Sequence, residues 1–197
     1  MNVHESVKTG IRALAAAALL TLLAALVSPS LPAAAASAGG QRAELTAGRT
    51  DSALDSNRIR NRNSRLCLAA RAGTGERPAI QTTCDFEAGR YWPDQHWTLE
   101  RVVTGTEIYR LRNVALNLCL SARGSGETQA FATACDRDRG QEWRDQHWIY
   151  LFDAGHGTHR WQNRASGNCL AARGTGQSPA IATTCNRDWL DQHWNFQ

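Results

Sequence analysis

Trp143-Arg144-Asp145-Gln146-His147-Trp148 has two companions in this chain, Trp92-Pro93-Asp94-Gln95-His96-Trp97 and Trp189-Leu190-Asp191-Gln192-His193-Trp194. The Gln-His-Trp at the end of each closes a longer block. Every block starts near an Asn, passes through a Cys-Leu pair and a Gly-rich turn, and returns to a second Cys. Self-similarity at a near-constant period fixes an architecture before any single residue is interpreted. The first cysteines recur after 52 and 50 residues and the glutamines after 51 and 46. The differences fall in turns, where insertions are tolerated. The repeats run from about 58 to 103, 105 to 152 and 155 to 197. A protein with threefold internal symmetry is expected, with a function that also comes in threes.

Within a repeat the pattern is that of β-strands, and the second repeat shows it best. Tyr109-Arg110-Leu111-Arg112-Asn113 alternates apolar and polar residues, as a half-buried strand does. Leu118-Cys119-Leu120 is a second predicted strand, Ala130 to Thr133 a third, and Gln146 to Tyr150 a fourth. Arg123-Gly124-Ser125-Gly126 is the predicted turn between the second and third. Four strands in each of three repeats make 12 strands, and closing them into a barrel hides their edges. Alternation puts the Gln and Trp of Gln-His-Trp on one side of the strand and the His on the other. Trp97, Trp148 and Trp194 are therefore expected in the core, with Gln95, Gln146 and Gln192 bonding nearby backbone. His96, His147 and His193 are expected at the solvent face.

The six cysteines form one pair per repeat: Cys67 and Cys84, Cys119 and Cys135, Cys169 and Cys185. One bridge per repeat is the simple pairing that respects the threefold. In the chain-entropy model loops of this size each contribute ~3 kcal/mol. Zinc is the other use of paired cysteines, but no Cys-x-x-Cys or paired Cys/His spacing occurs.

Ahead of the repeats, Lys8 and Arg12 precede the apolar run Ala13 to Val27, which prolines interrupt before Ala36-Ser37-Ala38. This is the layout of a secretory signal over residues 1–38, with cleavage predicted after Ala38. Fifteen apolar residues are short for a bilayer span, which needs ~20. Residues 39–57 are expected to be a flexible lead-in, with some helical character over 43–54. Without residues 1–38 the 22 basic residues fall to 20, all arginine, against 17 acidic ones, a net charge of +3. That is too small, and its arginines too interspersed with acids, to indicate nucleic acid.

The chain resembles the ricin-B-type β-trefoil lectins, and in particular a secreted, bacterial-like member. The resemblance is carried by Asn61, Asn113 and Asn163, the Cys-Leu pairs, the second cysteines and the three Gln-x-Trp endings, over residues 58–197. It implies an all-β fold, a β-trefoil of three four-stranded repeats with one disulfide each. It also implies a non-enzymatic carbohydrate-binding function. The family's usual pocket does not carry over. Its Asp two residues after the first Cys is here Ala69, Ser121 or Ala171. Its aromatic before the second Cys is Thr82, Thr133 or Thr183, and its Asn before Gln-x-Trp is Asp94, Asp145 or Asp191.

A threefold replacement is present. Each Trp-x-Asp-Gln-His-Trp offers a loop Trp and an Asp, and each first Cys is followed four residues on by an Arg. Trp92, Asp94 and Arg71, then Trp143, Asp145 and Arg123, then Trp189, Asp191 and Arg173 are the candidate ligand-binding sets. The ring stacks, the carboxylate accepts and the guanidinium donates. The competing reading is structural: Trp covers the disulfide, while Asp and Arg pair to fill the vacated pocket. The three Asp-x-His pairs offer one carboxylate and one imidazole per repeat, too few for a metal site. No catalytic motif occurs, and neither metal nor cofactor is expected. The expected protein is a secreted monomer that binds a glycan or polysaccharide weakly at several sites. The alternative is a trefoil that has lost sugar binding and binds a protein, as an inhibitor or accessory subunit. No nucleic acid and no membrane insertion after leader removal are expected.

Overall fold

Alternating apolar side chains do become strands. A computed structural model describes residues 56–71 and 73–197. The predicted signal and nearly all of the predicted lead-in lie outside the described residues. The strands are β1 (Asn57–Asn61), β2 (Cys67–Ala70), β3 (Arg77–Thr82), β4 (His96–Arg101), β5 (Ile108–Asn113), β6 (Cys119–Ser121), β7 (Thr128–Gln129), β8 (Phe131–Thr133), β9 (Trp148–Asp153), β10 (Thr158–Asn163), β11 (Cys169–Ala172), β12 (Ser178–Thr183) and β13 (Trp194–Phe196).

Six of them close a ring of antiparallel pairs. β1 pairs with β4, β4 with β5, β5 with β9, β9 with β10, β10 with β13, and β13 returns to β1. The closing pair holds residues 58 and 197 together: the Arg58 N–H donates to the Gln197 carbonyl at 2.9 Å, and the Gln197 N–H donates to the Arg58 carbonyl at 3.0 Å. The hairpins β2–β3, β6–β8 and β11–β12 cap this barrel and touch one another through β3–β8, β3–β12 and β7–β12. This is the β-trefoil. Among the described residues 13 strands appear where 12 were expected, because the third strand of repeat two breaks at Ala130. Its N–H leaves its own hairpin to donate to Ala180 O, and its carbonyl accepts from Ala79 N, both at 2.9 Å.

Trp97, Trp148 and Trp194 are fully buried in a core shared with Ile59, Leu68, Leu111, Leu120, Leu170 and Trp161. Each indole N–H of the three donates to the carbonyl of the Leu in its own Cys-Leu pair, at 3.0, 2.9 and 3.0 Å. Burying one Trp removes roughly 200 Å² from water, about 5 kcal/mol before entropy is charged against it. The disulfides are Cys67–Cys84, Cys119–Cys135 and Cys169–Cys185, one per repeat as expected.

The repeats also interlock. Asn113, buried at the end of β5, donates its amide to the carbonyl of Asp94 in the preceding repeat at 2.7 Å. Asn163 does the same to Asp145 at 2.8 Å, and Asn61 to Asp191 at 2.7 Å, which closes the circle. The same side chains cap the turns that follow: Asn61 and Asn163 accept two backbone N–H groups each, Asn113 one. These asparagines thus fix the backbone of the three Trp-x-Asp loops.

Candidate functional site

The loops that carry the candidate residues are single 3-10 turns, Pro93–Gln95, Arg144–Gln146 and Leu190–Gln192. Trp92, Trp143 and Trp189 precede them in extended conformation, and each Trp carbonyl accepts the N–H of the Gln three residues on. Gln95, Gln146 and Gln192 therefore sit on the turn and not in the predicted fourth strand. Their bonding is as expected. Gln146 accepts from the Asp136 N–H at 2.9 Å and donates to the Ala134 carbonyl at 2.8 Å, spanning the second cysteine. Gln95 and Gln192 make the same pair of bonds at residues 85 and 83, and 186 and 184.

The histidines correct the expectation of solvent exposure: His96, His147 and His193 are all buried. The turn before each one ends the strict alternation, and an acceptor from another segment receives the ring, a carboxylate for His96 and His147 and the Arg187 carbonyl for His193. His96 Nε2 meets Asp85 at 3.0 Å, and His147 Nε2 meets Asp136 at 2.8 Å. Arg58 and Arg110 bond the same carboxylates from β1 and β5. Burial alone would raise these two acids. Hydrogen bonds from the arginine, from the backbone N–H of Trp92 or Trp143 and from the histidine outweigh it and hold both at about 2. The Asp-x-His neighbours Asp94, Asp145 and Asp191 are not the partners.

Each of those three aspartates instead faces the arginine named with it. Arg71 Nε lies 3.5 Å from Asp94, Arg123 Nε 3.0 Å from Asp145, and Arg173 Nε 3.6 Å from Asp191. In repeat two Ser121 donates to Asp145 at 2.7 Å. The loop carboxylate thus stands beside the strand position where the family's own Asp would project. Burial raises Asp94, and the charge of Arg71 opposes that rise. The Trp side chains differ among repeats. Trp92 and Trp143 are half-buried, and the Arg71 guanidinium lies 5.8 Å from the Trp92 ring centre. Trp189 is 43% exposed. It borders an open cleft of about 390 Å³ with Arg173, Asp191, Asn63, Gly174 and Leu190.

One group of contacts was not anticipated. Glu76, at the turn of the first hairpin, bonds Arg123 at 2.7 Å, and Glu127 of the second bonds Arg173 at 2.7 Å. The third member of this series is Gln177, which accepts from Thr82 at 3.1 Å, and Thr82 in turn accepts from Arg71 at 3.2 Å. Aligning the Gly-rich turns in register, Gly-Glu, Gly-Glu and Gly-Gln, is the sequence signal that carries this difference.

A closed six-stranded barrel capped by three hairpins, with a Gln-x-Trp and a disulfide in each repeat, defines a β-trefoil. A model of the ricin-type β-trefoil lectin domain matches residues 55–194, and the chain belongs to that family. Solved structures share the fold at low identity. The designed threefold-symmetric protein ThreeFoil matches with a TM-score of 0.60 at 15% identity, over 72% of this chain and 96% of its own. The Macrolepiota procera ricin B-like lectin, in complex with lactose, gives 0.55 at 16% identity, over 72% and 94%. SeviL bound to asialo-GM1 saccharide gives 0.53 at 15%, over 72% and 95%. No curated protein sequence matches.

Proposed function

We propose that this is a secreted, non-enzymatic carbohydrate-binding protein that holds a glycan or polysaccharide weakly at its Trp-x-Asp loops. The observation that carries this reading is the cleft of repeat three, where a partly exposed indole, a carboxylate and a guanidinium face one open space. All three arginines approach their aspartate through Oδ2, which leaves Oδ1 to accept a ligand hydroxyl. Family membership and neighbours whose names record bound lactose or asialo-GM1 saccharide support the ligand class. Open sites of this size bind weakly one at a time, and a repeating polymer that engages several gains avidity. Among the described residues no helix is long and apolar enough to cross a membrane.

The test is a glycan array with an insoluble-polysaccharide pull-down, run beside the variant Trp92→Ala, Trp143→Ala, Trp189→Ala. Binding by the parent that disappears in a folded triple variant is the expected result. Absence of binding to every glycan, with the fold intact, would remove the lectin reading and direct the search to protein partners. Phe86 and Tyr91, exposed aromatics of repeat one, are then the first surface to examine.

A further inference from the structure

The third repeat departs from the other two at the residue after its second cysteine, and beside that departure a cluster assembles. Cys84 and Cys135 are each followed by an aspartate, but Cys185 is followed by Asn186. His193 therefore lacks the carboxylate that His96 and His147 use. Its Nε2 lies 2.7 Å from the Arg187 carbonyl. A carbonyl only accepts, so Nε2 carries the proton and Nδ1 carries the lone pair. Nδ1 stands 2.7 Å from the Thr158 hydroxyl, which has to swing aside for this lone pair to reach an ion. A ring whose far N–H is pinned to a backbone carbonyl has the orientation of a metal-binding histidine.

Two further donors come from the β9–β10 turn. Asp153 ends β9 with its carboxylate almost fully buried. The His156 ring meets that of His193 edge to face, 4.6 Å between centres. His156 Nδ1 is closed off from solvent without a hydrogen-bond partner, 3.4 Å from Asp153 Oδ1. One donor atom from each of the three lies within 4.8 Å of the other two. The corresponding β4–β5 turn, residues 102–107, contains no histidine.

We infer that Asp153, His156 and His193 form a binding site for a single borderline divalent ion of the zinc type, with water completing its coordination. Two imidazoles and one carboxylate are a set that Zn²⁺ accepts. The surrounding charge selects against calcium or magnesium. Arg187 bonds Asp153 at 2.8 and 3.0 Å, Arg62 donates to the His156 carbonyl, and Arg160 Nε has no hydrogen-bond partner. Hard cations rely on oxygen ligands and negative charge, whereas zinc also bonds the imidazole lone pairs. Asp153 Oδ1 also accepts the Gly155 and His156 N–H groups at 3.0 and 3.3 Å; Arg187 gives up its bond to this oxygen for the ion and keeps Oδ2 through its Nε.

The experiment is calorimetric titration of the oxidised, untagged protein with Zn²⁺ at neutral pH, with Co²⁺ as a spectroscopic substitute. One equivalent bound with micromolar or tighter affinity is expected, with a visible Co²⁺ band of tetrahedral intensity and a thermal midpoint that rises with Zn²⁺ and falls back with EDTA. His156 sits in a turn, so His156→Ala is expected to keep the near-UV dichroism of the parent while losing at least ten-fold in affinity. Absence of saturable binding, or one-site binding unchanged in His156→Ala, overturns the assignment.

Discussion

Gln146 does work that no apolar residue of its shape could do. Its amide satisfies one buried N–H and one buried carbonyl on either side of Cys135. Gln146→Leu leaves both without a partner, at ~1–3 kcal/mol for each group. We expect a loss of roughly 2–4 kcal/mol in urea unfolding. A loss below about 0.5 kcal/mol, the scale of an ordinary surface substitution, would mean that water replaces the side chain. Both roles of Gln and Trp could be seen in the sequence, because a threefold Gln-x-Trp leaves little else for a buried amide and a buried indole to do. The burial of His147 could not. Its partner Asp136 lies 11 residues away, and nothing local ties the two together. The Asp145–Arg123 pair was foreseen as one of two readings, and the structure contains it. Whether the same residues also meet a ligand depends on the Trp that flanks them.

The disulfide hairpins are the next scale. Each bridge joins the start of one hairpin strand to the segment leading into the 3-10 turn, so it staples the candidate loop to the cap. Replacing Cys119 and Cys135 with serine opens a loop of 16 residues and is expected to cost about 3 kcal/mol. Guanidinium unfolding of the double variant measures it, and an unchanged midpoint would show that the hairpin is held by its core contacts alone. The strands Leu118–Leu120 and Ala130–Thr133 were predicted within a residue or two of β6 and β8. The break at Ala130 was not, because it arises from bonds to Ala79 and Ala180 in the other two hairpins. The metal cluster escaped the sequence for the same reason. Asp153 and His156 lie in one turn, but His193 arrives from the far end of the repeat.

The whole molecule has an acid-side weakness that follows from its buried rings. Burial pushes His159 down to about 4 against the stacked Phe196 and Tyr150 rings, and pushes His147 and His193 down as well. A histidine with a lowered folded pKa binds its proton more readily in the unfolded chain. Stability is therefore full above about pH 6.5 and lost as pH falls toward the folded values. His159 alone corresponds to about 3 kcal/mol across that window. Asp85 and Asp136, held near 2, add no loss until the pH falls below about 4. Urea midpoints at pH 7.5, 5.5 and 4.5 are expected to decline in that order, and a flat or rising series would contradict the buried, neutral state of these rings. At this scale three repeats and a closed barrel followed from the period, while the identity of the trefoil came through resemblance. Single-chain periodicity says that strands must pair but not which strand of repeat three meets which strand of repeat one.

That last pairing makes the polypeptide's starting point arbitrary. Residues 58 and 197 already exchange both backbone bonds, and Asn61 holds Asp191 as Asn113 holds Asp94. A short glycine-serine bridge across this seam, with the chain cut instead in the turn at 103–106, yields a circular permutant in which every contact of the ring persists and only the order of synthesis has changed.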